Sequence, residues 1–394
     1  MTGRRHVIVI GGGYAGVTAA DRLTRRDDLM VTLINPRPMF VERIRLHQSV
    51  CGSDDAVVDY RHLLGSRVRL LVDTVTRIDA SARKVILGGG GALGYDRLIY
   101  AVGSGSADPR VPGAAQFSHP IASLEQAQRL REVLATKTTA APVTVVGAGP
   151  TGIETAAELA ECGRSVTLVC GEVLGPYLHA RGRRAVAGEL ARLGVTVLDG
   201  AGSRVVTVGP DAVRLADGRE VASAVTVWTA GFAAPDLALR SGLSTDSAGR
   251  LLTDETLTSV DDACIVAAGD CAAPSDVPLR MSCQAAAPLG AHAAETVLHR
   301  IAGEQPRPVA IGFVGQCISL GRRAGVFQFA RRNDTVTRFY LAGRLAAKLK
   351  AFICWGTVKQ LGIEARRPGL LTLSFGSKHE RQRMLAARTE AVRS

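Results

Sequence analysis

Residues 5–23 of the chain read RHVIVIGGGYAGVTAADRL. A β-branched run, Val7–Ile10, leads into consecutive glycines, and apolar residues at helical spacing follow from Val17 to Leu23. A second short apolar run covers Val31–Ile34. This order is typical of a strand, a tight turn, a helix and a second, parallel strand. The sequence therefore begins with a βαβ unit.

The turn of this unit carries the pattern Gly-x-Gly-x-x-Gly at Gly11, Gly13 and Gly16. Between a strand and a helix, the pattern predicts a dinucleotide site, because the glycines let a pyrophosphate reach the free N–H groups of the helix start. At the end of the second strand, where an Asp or Glu usually contacts the adenosine ribose, the chain has Asn35. An amide still accepts a hydroxyl hydrogen bond, so Asn35 is a candidate ribose contact.

Three arginines follow this strand, at Arg37, Arg43 and Arg45. We expect one of them to pair with the pyrophosphate or with another part of the same cofactor. The alternative is a basic turn that only faces solvent.

The same pattern occurs a second time. Val143–Val146 predicts a strand, Gly147, Gly149 and Gly152 repeat the turn, and Ile153–Ala160 predicts the helix. The strand predicted at Ser165–Val169 completes the unit. An internal duplication of a nucleotide-binding unit is therefore the main organisational feature of the chain.

The second unit leaves the choice of nicotinamide cofactor open. Its second strand is followed by Cys170, Gly171 and Glu172, so the usual ribose acid is missing at position 170. A 2′-phosphate could then be accepted, with Arg181, Arg183 or Arg184 as its partner. Alternatively, Glu172 reaches the ribose and favours NADH, and the arginines belong to a helix surface.

Further strands are predicted along the rest of the chain. The four after the first unit suggest a meander packed on the first sheet: Val68–Val72, Thr74–Ile78, Lys84–Leu87 and Arg97–Ala101. Later segments predict strands at Val221–Trp228, Cys264–Ala268 and within Ile311–Phe329, and helices at Pro288–Ile301 and Leu341–Leu361. The last fifteen or so residues are polar, and we expect them to be frayed.

Composition and charge narrow the class of protein. The chain has 394 residues, of which 46% are hydrophobic, enough for two or three soluble domains. Its net charge of +12 is concentrated in residues 306–394, which hold 17 Lys and Arg against 4 Asp and Glu. A local cationic face attracts anionic surfaces. Without a helix-turn-helix, zinc or RNP-type signature, nucleic acid is not an expected partner.

Neither a leader, a membrane span, a dithiol centre nor a metal site is predicted. The N-terminal apolar run is shorter than the about 7–15 residues of a secretory signal, and no stretch approaches the roughly 18 apolar residues of a membrane helix. The eight cysteines form no CxxC or CxxxxC pair. They are interpreted as buried apolar residues in a reducing cytosol, with a single-cysteine redox role at Cys51 as the alternative.

A third motif, Ala267-Ala268-Gly269-Asp270, predicts a strand that ends in Gly-Asp before a loop. With VIVIGGGYAG, YDRLIYAVGS, VTVVGAGPTGIETAAEL, VWTAGF and CQAAAPLGAHAAETVL in this order, the chain resembles the two-dinucleotide flavin oxidoreductases over roughly residues 5–330. The likeness is greatest to type II NADH dehydrogenases and their apoptosis-inducing-factor-like relatives.

This resemblance implies an α/β fold with two Rossmann-like domains, FAD and NADH or NADPH as cofactors, and Glu154 near the flavin. A FAD domain split into residues 1–112 and 238–305 would enclose an NAD(P)H domain at 113–237, with a basic segment at 306–394. The implied FAD contacts are Gly11, Gly13, Tyr14, Ala15, Gly16, Asn35, Val75, Ala101, Val102, Gly103 and Asp270. The implied nicotinamide contacts are Gly147, Gly149, Gly152, Glu154 and Gly231.

Two positions depart from the family's patterns. The Ala-x-Gly signature reads Ala101-Val102-Gly103, where threonine is usual in the middle. The quinone-side pattern has two glutamines four residues apart, whereas this chain has Gln284 followed by Pro288.

The expected reaction is hydride transfer from NAD(P)H to FAD, followed by reduction of a quinone or quinone-like small molecule. Glu154 is the candidate catalytic residue, which would tune the contact between flavin and nicotinamide or supply a proton path. A ferredoxin-type reductase and a redox sensor of low turnover are the alternatives. The oligomeric state stays open between a monomer and a homodimer.

The C-terminal segment bears on location. Leu341, Leu345, Leu349 and Phe352 form an apolar stripe, and Arg344, Lys348, Trp355 and Lys359 lie on an adjoining basic one. Such a helix can lie on a membrane surface or pack on the flavin domain and show its cations to water. We expect a cytoplasmic protein with weak peripheral contact to the membrane.

Overall fold

The computed structural model describes residues 4–370, 376 and 378–393. Its helices, in chain order, are α1 (Tyr14–Leu23), α2 (Leu46–Cys51), α3 (Ala114–Phe117), α4 (Leu124–Ala135), α5 (Pro150–Glu161), α6 (Ala180–Arg192), α7 (Leu237–Arg240), α8 (Cys283–Ala302), α9 (Arg344–Arg366) and α10 (Lys378–Arg393). Within these described ranges, no helix is both long and apolar enough to cross a membrane.

Two five-stranded parallel sheets organise the molecule. The first has, in spatial order, β21 (Ile265–Ala267), β9 (Arg97–Tyr100), β1 (Arg5–Ile10), β2 (Leu29–Asn35) and β5 (Val68–Val72). The second has β11 (Ser118–Pro120), β18 (Val225–Trp228), β12 (Val143–Val146), β13 (Val166–Val169) and β14 (Thr196–Leu198). The strands of the second sheet lie in sequence between β9 and β21 of the first, which is the predicted insertion of one dinucleotide unit into another.

Six smaller sheets surround these two within the described residues, and all but one of them are antiparallel. The three-stranded ones are β6 (Val75–Asp79), β7 (Lys84–Leu87), β8 (Ala92–Gly94); β15 (Val205–Val208), β16 (Ala212–Leu215), β17 (Glu220–Ala222); and β23 (Gly315–Leu320), β24 (Ala324–Ala330), β25 (Val336–Ala342). The two-stranded ones are β3 (Met39–Val41) with β4 (Val57–Asp59), β10 (Gly105–Ser106) with β19 (Phe232–Ala233), and β20 (Leu251–Thr253), parallel, with β22 (Ala272–Pro274).

Each large sheet places its glycine turn at a switch point. The central strands β1 and β12 each have their unit's next strand on one side and a later strand of the chain on the other. Crevices at such points, beyond the carboxyl ends of the strands, bind ligands in open α/β sheets. Helix α1 is held against α8 at close range, since a Cβ atom on Gly290 would lie 2.1 Å from the Ala15 carbonyl oxygen.

Several predicted elements were wrong in detail. The first and last strands of the expected meander, β5 and β9, pair in parallel with β2 and β1 instead and so extend the first sheet. The single strand expected at Val221–Trp228 is two strands, since β17 pairs with β16 and the chain then crosses to pair β18 with β12.

The C-terminal elements also differ from the prediction. Leu341 lies on β25 opposite Phe327, and α9 begins only at Arg344, after Gly343 with its φ of +72°. The expected frayed end is helix α10 instead. Its Arg381 is buried and donates hydrogen bonds to both carboxylate oxygens of Glu255 at 2.8 and 2.9 Å. These bonds tie the helix to the loop that follows β20.

Candidate functional site

In the first glycine turn, two glycines are required by close packing and the middle one leaves space for a ligand. A Cβ atom on Gly11 would lie 2.3 Å from the Ala101 carbonyl oxygen, and one on Gly16 would lie 1.8 Å from the Gly11 carbonyl oxygen. A Cβ on Gly13 would meet nothing within 4 Å. Gly13 also caps α1 without a side-chain hydrogen bond, so the first N–H groups of the helix are free to bind an anion.

The second turn repeats this division. A Cβ atom on Gly147 would lie 2.4 Å from the Thr229 hydroxyl, and one on Gly152 would lie 1.9 Å from the Gly147 carbonyl oxygen. Gly149 again faces open space and caps α5 without a side-chain bond. Both turns thus have the shape that a pyrophosphate requires: two glycines for tight packing and a middle one for close approach.

A cavity of about 430 Å³ lies beside the first turn. Its size falls within the range of cofactor pockets, about 300–1,000 Å³. Twelve of the sequence-predicted residues line it together: Gly11, Gly13, Tyr14, Ala15, Asn35, Arg37, Arg43, Val75, Ala101, Val102, Gly103 and Asp270. Gly16 lies beneath the lining, where it packs against Gly11.

Asn35 and Tyr60 both hydrogen-bond to the backbone of Gly12 and so shape the turn. The Gly12 N–H donates to Asn35 Oδ1 at 3.0 Å, and the Tyr60 hydroxyl donates to the Gly12 carbonyl at 2.7 Å. Burial raises the pKa of Tyr60, so its hydroxyl stays a donor. Sequence reasoning missed Tyr60, because it lies outside every motif, in a short 3₁₀ turn. Whether Asn35 contacts a ribose stays a prediction.

Of the three candidate arginines, Arg43 is the one whose guanidinium forms an ion pair with another predicted site residue, with Nη1 3.8 Å from Asp270 Oδ2. It donates to Ser104 Oγ at 3.1 Å, and Ser104 donates to Asp270 Oδ2 at 2.7 Å. Burial lowers the pKa of Arg43 and the Asp270 carboxylate opposes the shift. Arg37 lines the cavity but forms a bidentate pair with Glu125.

Arg45 lies outside the cavity lining. It pairs instead with Glu42 at 3.1 Å and with Asp54 at 2.8 Å. The structure therefore separates three residues that look equivalent in the sequence.

Glu154, the predicted residue near the flavin, is buried in a polar cluster. It pairs with Lys350 of α9 and accepts the Ser319 backbone N–H at 2.9 Å. Lys350 Nζ donates to Ser319 Oγ at 3.2 Å, and that hydroxyl lies 3.1 Å from His47 Nε2. His47 Nδ1 is 3.7 Å from Glu154 Oε2. All four residues are at most 7% exposed.

The charges in this cluster follow from opposing effects. Burial raises the pKa of Glu154, but Lys350, His47 and the Ser319 N–H together lower it further than burial raises it. Burial lowers the pKa of Lys350, while the Glu154 carboxylate raises it above its usual value. Burial lowers the pKa of His47 to about 4. The cluster is therefore an ion pair beside a neutral imidazole.

Three cysteines lie near this cluster. Burial raises the pKa of Cys283 to about 11, that of Cys317 to about 12, and that of Cys354. Cys354 adds to the rise at Cys283, and both Cys283 and Cys354 add to it at Cys317. Their sequence spacing gave no sign of this grouping, because they come from α8, β23 and α9. High pKa values keep these thiols protonated, which makes them weak nucleophiles.

Gln284 and Gly231 lie apart from the cavity lining. In the orientation that satisfies its amide, Gln284 donates to the Gly315 carbonyl and accepts from the Val314 N–H, both at 3.2 Å. Pro288 sits inside α8, one turn further on. Gly231 has a φ of +87° directly before β19, where the chain returns from the inserted unit. Their cofactor roles stay predictions.

A family model described as pyridine nucleotide-disulphide oxidoreductase matches residues 5–293. The chain belongs to this family. Membership confirms the expected α/β architecture with two dinucleotide units, and it implies FAD and a nicotinamide dinucleotide as cofactors. The open space beside Gly13 and Gly149 fits the pyrophosphate groups of these two cofactors.

Relatives within the family are dehydrogenase-like. An NADH dehydrogenase-like protein of Mycobacterium tuberculosis is 30% identical over 351 residues, covering 82% of this chain and 87% of the relative. The type II NADH:quinone oxidoreductase Ndh of the same organism is 29% identical over 401 residues, and the alignment covers 89% of this chain and 82% of the relative. This oxidoreductase is therefore NADH dehydrogenase-like, as the sequence motifs indicated.

Two solved structures resemble its fold. The sulfide:quinone oxidoreductase of Aquifex aeolicus aligns with a TM-score of 0.77 at 20% identity, covering 93% of both chains. The NDH2 of Plasmodium falciparum, in complex with NADH, aligns with a TM-score of 0.75 at 15% identity, covering 93% of this chain and 99% of the other.

Proposed function

We propose that this oxidoreductase takes a hydride from NADH through FAD and passes the electrons to a quinone. The observation that carries the proposal is the Glu154–Lys350 pair, which joins the helix of the second glycine turn to the C-terminal helix α9. A fixed charge pair beside the cofactors can hold a proton for an acceptor that takes up electrons and protons together. Relatives named type II NADH:quinone oxidoreductase support the same acceptor class.

The FAD-binding residues would be those that line the first cavity. The open face of Gly13 and the free start of α1 would hold the pyrophosphate, Asn35 would accept a ribose hydroxyl, and Asp270 would accept hydroxyls of the ribityl chain. When bound, FAD supplies the ring that accepts a hydride and passes two electrons on. Arg43 and Ser104 hold the Asp270 carboxylate in one orientation for that contact.

The nicotinamide dinucleotide would lie at the second turn, against Gly147, Gly149 and Gly152. We favour NADH over NADPH. Glu172 is exposed just after β13, and its carboxylate would accept a ribose hydroxyl but repel a 2′-phosphate. Arg181 and Arg184 are exposed on α6, which is consistent with a plain helix surface.

Helix α9 would bring the protein to the membrane in which quinones dissolve. Its outward side carries Leu345, Phe352 and Trp355, which are 71%, 64% and 53% exposed. Lys348 and Lys359 lie on the same side, and Lys359 stands 5.8 Å above the Trp355 ring. Exposed aromatic residues flanked by cations are typical of a helix that lies in a membrane interface.

The purified, flavin-loaded protein tests this function directly. We expect loss of flavin absorbance in stopped flow with NADH, much less with NADPH, and its return on adding a soluble quinone. Glu154→Gln should slow the return with quinone by about 10²-fold or more, the scale of general acid–base catalysis. The control Glu189→Gln removes a partly buried carboxylate of α6, which pairs with Arg192, and should leave both phases unchanged.

Other outcomes would contradict the proposal. Return of flavin absorbance with a ferredoxin but not with quinones would indicate a ferredoxin-type reductase. Loss of absorbance without steady turnover on any acceptor would indicate a redox sensor.

A further inference from the structure

A second buried glutamate lies one turn beyond Glu154 on α5. Residues four apart on a helix share one face, so Glu158 points to the same side as Glu154. The two are 2% and 7% exposed, whereas Glu161, at the end of the helix, is only partly buried. The face thus carries three carboxylates in succession, from the Glu154–Lys350 pair to the partly exposed end of the helix.

Glu158 has one satisfied and one unsatisfied oxygen. Ser53 Oγ donates to its Oε1 at 2.6 Å. Its Oε2 is buried and makes no hydrogen bond within the part of the chain that the structure describes. A buried oxygen of this kind needs a partner, and a proton held on it, with a bridging water as acceptor, meets that need.

The outer end of this route reaches solvent at Arg322. Its guanidinium lies 3.5 Å from Ser53 Oγ, and its backbone N–H donates to Glu161 Oε2 at 2.6 Å. Ser53 and Arg322 therefore connect the buried Glu158 carboxyl with the exposed end of α5.

The inner end is the ring of polar groups around Glu154. With the Ser319 hydroxyl donating to His47 Nε2, Lys350 donates to Ser319, and His47 Nδ1–H faces Glu154 Oε2. The nearest polar atoms of neighbouring members of this ring lie at most 3.7 Å apart. The helix α2 also touches Glu158 directly, since Cys51 Sγ, one turn after His47, lies 3.6 Å from the Glu158 carbonyl oxygen.

The charges around Glu158 let it take up and release a proton. Burial raises its pKa and Glu161 adds to the rise, while the hydrogen bond from Ser53 and the charges of Arg322 and Lys350 oppose it. A carboxyl placed in this way exchanges protons closer to neutral pH than an exposed glutamate does.

We propose that Glu158 takes up protons from solvent at Arg322 and Ser53 and delivers them to the Glu154–Lys350 pair, which lies one turn away on the same face of α5. The inference rests on the proposed quinone reduction. A quinone becomes a quinol by gaining two electrons and two protons, and the hydride of NADH carries both electrons but one proton. The second proton comes from water, and this route supplies it.

The test compares Glu158→Gln with wild type in the flavin-loaded protein. The loss of flavin absorbance with NADH should be unchanged, while its return with quinone slows by about 10-fold or more, with a larger solvent isotope effect and a shifted pH profile. Glu158→Asp should restore part of the rate. Ser53→Ala keeps the carboxyl and tests the same route independently, should Glu158→Gln weaken the fold. Glu189→Gln is again the matched control.

An infrared measurement gives a readout that does not depend on turnover. In a pH titration, the difference spectrum of wild type minus Glu158→Gln should contain the carbonyl band of a protonated carboxylic acid, and the band should persist to higher pH than that of an exposed glutamate. Unchanged acceptor kinetics in both Glu158→Gln and Ser53→Ala, with an unchanged isotope effect, would overturn the relay. If wild type itself reduces no quinone, the proposed function fails instead, and the infrared band still reports on Glu158.

Discussion

At the scale of single residues, the two glycine turns separate folding from binding. Gly11 and Gly16 are held against backbone atoms, so a side chain at either position would disrupt the turn. Gly13 has an extended backbone with a φ of −83° and open space beside it, so the fold itself tolerates a side chain there. Only a bound pyrophosphate would exclude one.

We therefore expect Gly13→Val to weaken FAD binding by about 100-fold, or about 2.8 kcal/mol, with little change in the stability of the FAD-free protein. Gly188→Val is the control, because Gly188 on α6 also faces open space but lies far from both turns. Equilibrium titration with FAD and urea unfolding of the apoprotein separate the two effects. Wild-type FAD affinity in Gly13→Val would contradict the assignment of the first glycine turn as the site of the FAD pyrophosphate.

The buried Glu154–Lys350 pair makes a second prediction at this scale. Lys350→Met leaves the carboxylate without its cation and should cost about 3–5 kcal/mol in the free energy of unfolding. Adding Glu154→Gln to it should recover much of the loss, because the uncompensated charge is gone. Arg214→Met breaks the exposed pair with Glu220 and should cost less than about 1 kcal/mol.

Chemical denaturation of wild type, Lys350→Met, the double variant and Arg214→Met measures these free energies of unfolding. A Lys350→Met variant as stable as Arg214→Met would show that the pair contributes little.

Residue-level prediction from the sequence succeeded where a motif fixes local geometry. The glycines, Ala101–Gly103 and Asp270 meet at one cavity because each follows a strand of the first sheet. It failed for Lys350, which lies 196 positions after Glu154 and belongs to no motif. Nothing local encodes such a contact; it depends on how α9 packs on β23 and β24.

At the scale of elements, helix α9 buries two charged side chains and exposes three large apolar ones. Its inner face buries Lys350 and Glu364, while Leu345, Phe352 and Trp355 face outward. The periodicity of the segment predicted an amphipathic helix but could not say which face packs inward. Packing on the flavin domain and contact with a membrane were expected as alternatives. The helix can do both, because each would use a different face.

Replacing Phe352 and Trp355 by serine should reduce binding to anionic lipid vesicles by about 10-fold or more, because their apolar area no longer enters the interface. Leu239→Ser is the control, since Leu239 on α7 is 63% exposed but has no such neighbours. Vesicle sedimentation measures the bound fraction. Equal losses in both variants would argue against a specific contact through α9.

The contact of α1 with α9 contains a carboxyl that should make stability depend on pH. Burial raises the pKa of Asp21 from 3.8 to about 8, the Gly65 N–H opposes the rise, and Glu364 adds to it. Between these values the folded chain holds a proton that the unfolded chain has lost, so stability falls as the pH rises toward 8. The limiting slope is about 1.4 kcal/mol per pH unit.

Asp21→Asn should remove this slope and be more stable than wild type above about pH 8, since an amide needs no proton to stay neutral. Asp236→Asn, at the exposed pair with Arg240, should keep the wild-type slope. Urea midpoints across the pH range test this. A wild-type slope in Asp21→Asn would assign the pH dependence to other groups.

At the scale of the whole molecule, the uneven charge predicts the salt dependence of membrane binding. Most of the net charge of +12 comes from residues 306–394, which include α9. Binding to anionic vesicles should fall steeply as the ionic strength rises toward about 1 M, where screening acts within about 3 Å. Vesicles of neutral lipid should bind more weakly but with little salt dependence, and equal salt dependence on both would refute an electrostatic contribution.

The antiparallel pairing of β10 with β19 has a practical consequence. Ser106 lies opposite Phe232, so the chain leaves the flavin-side unit and returns to it at neighbouring points. The inserted unit thus behaves as a cassette with adjacent ends. A homologous cassette that prefers another nicotinamide coenzyme could be grafted at this ribbon, provided that it also matches the surfaces of α2 and β23, and coenzyme preference would then be exchanged without rebuilding the flavin side.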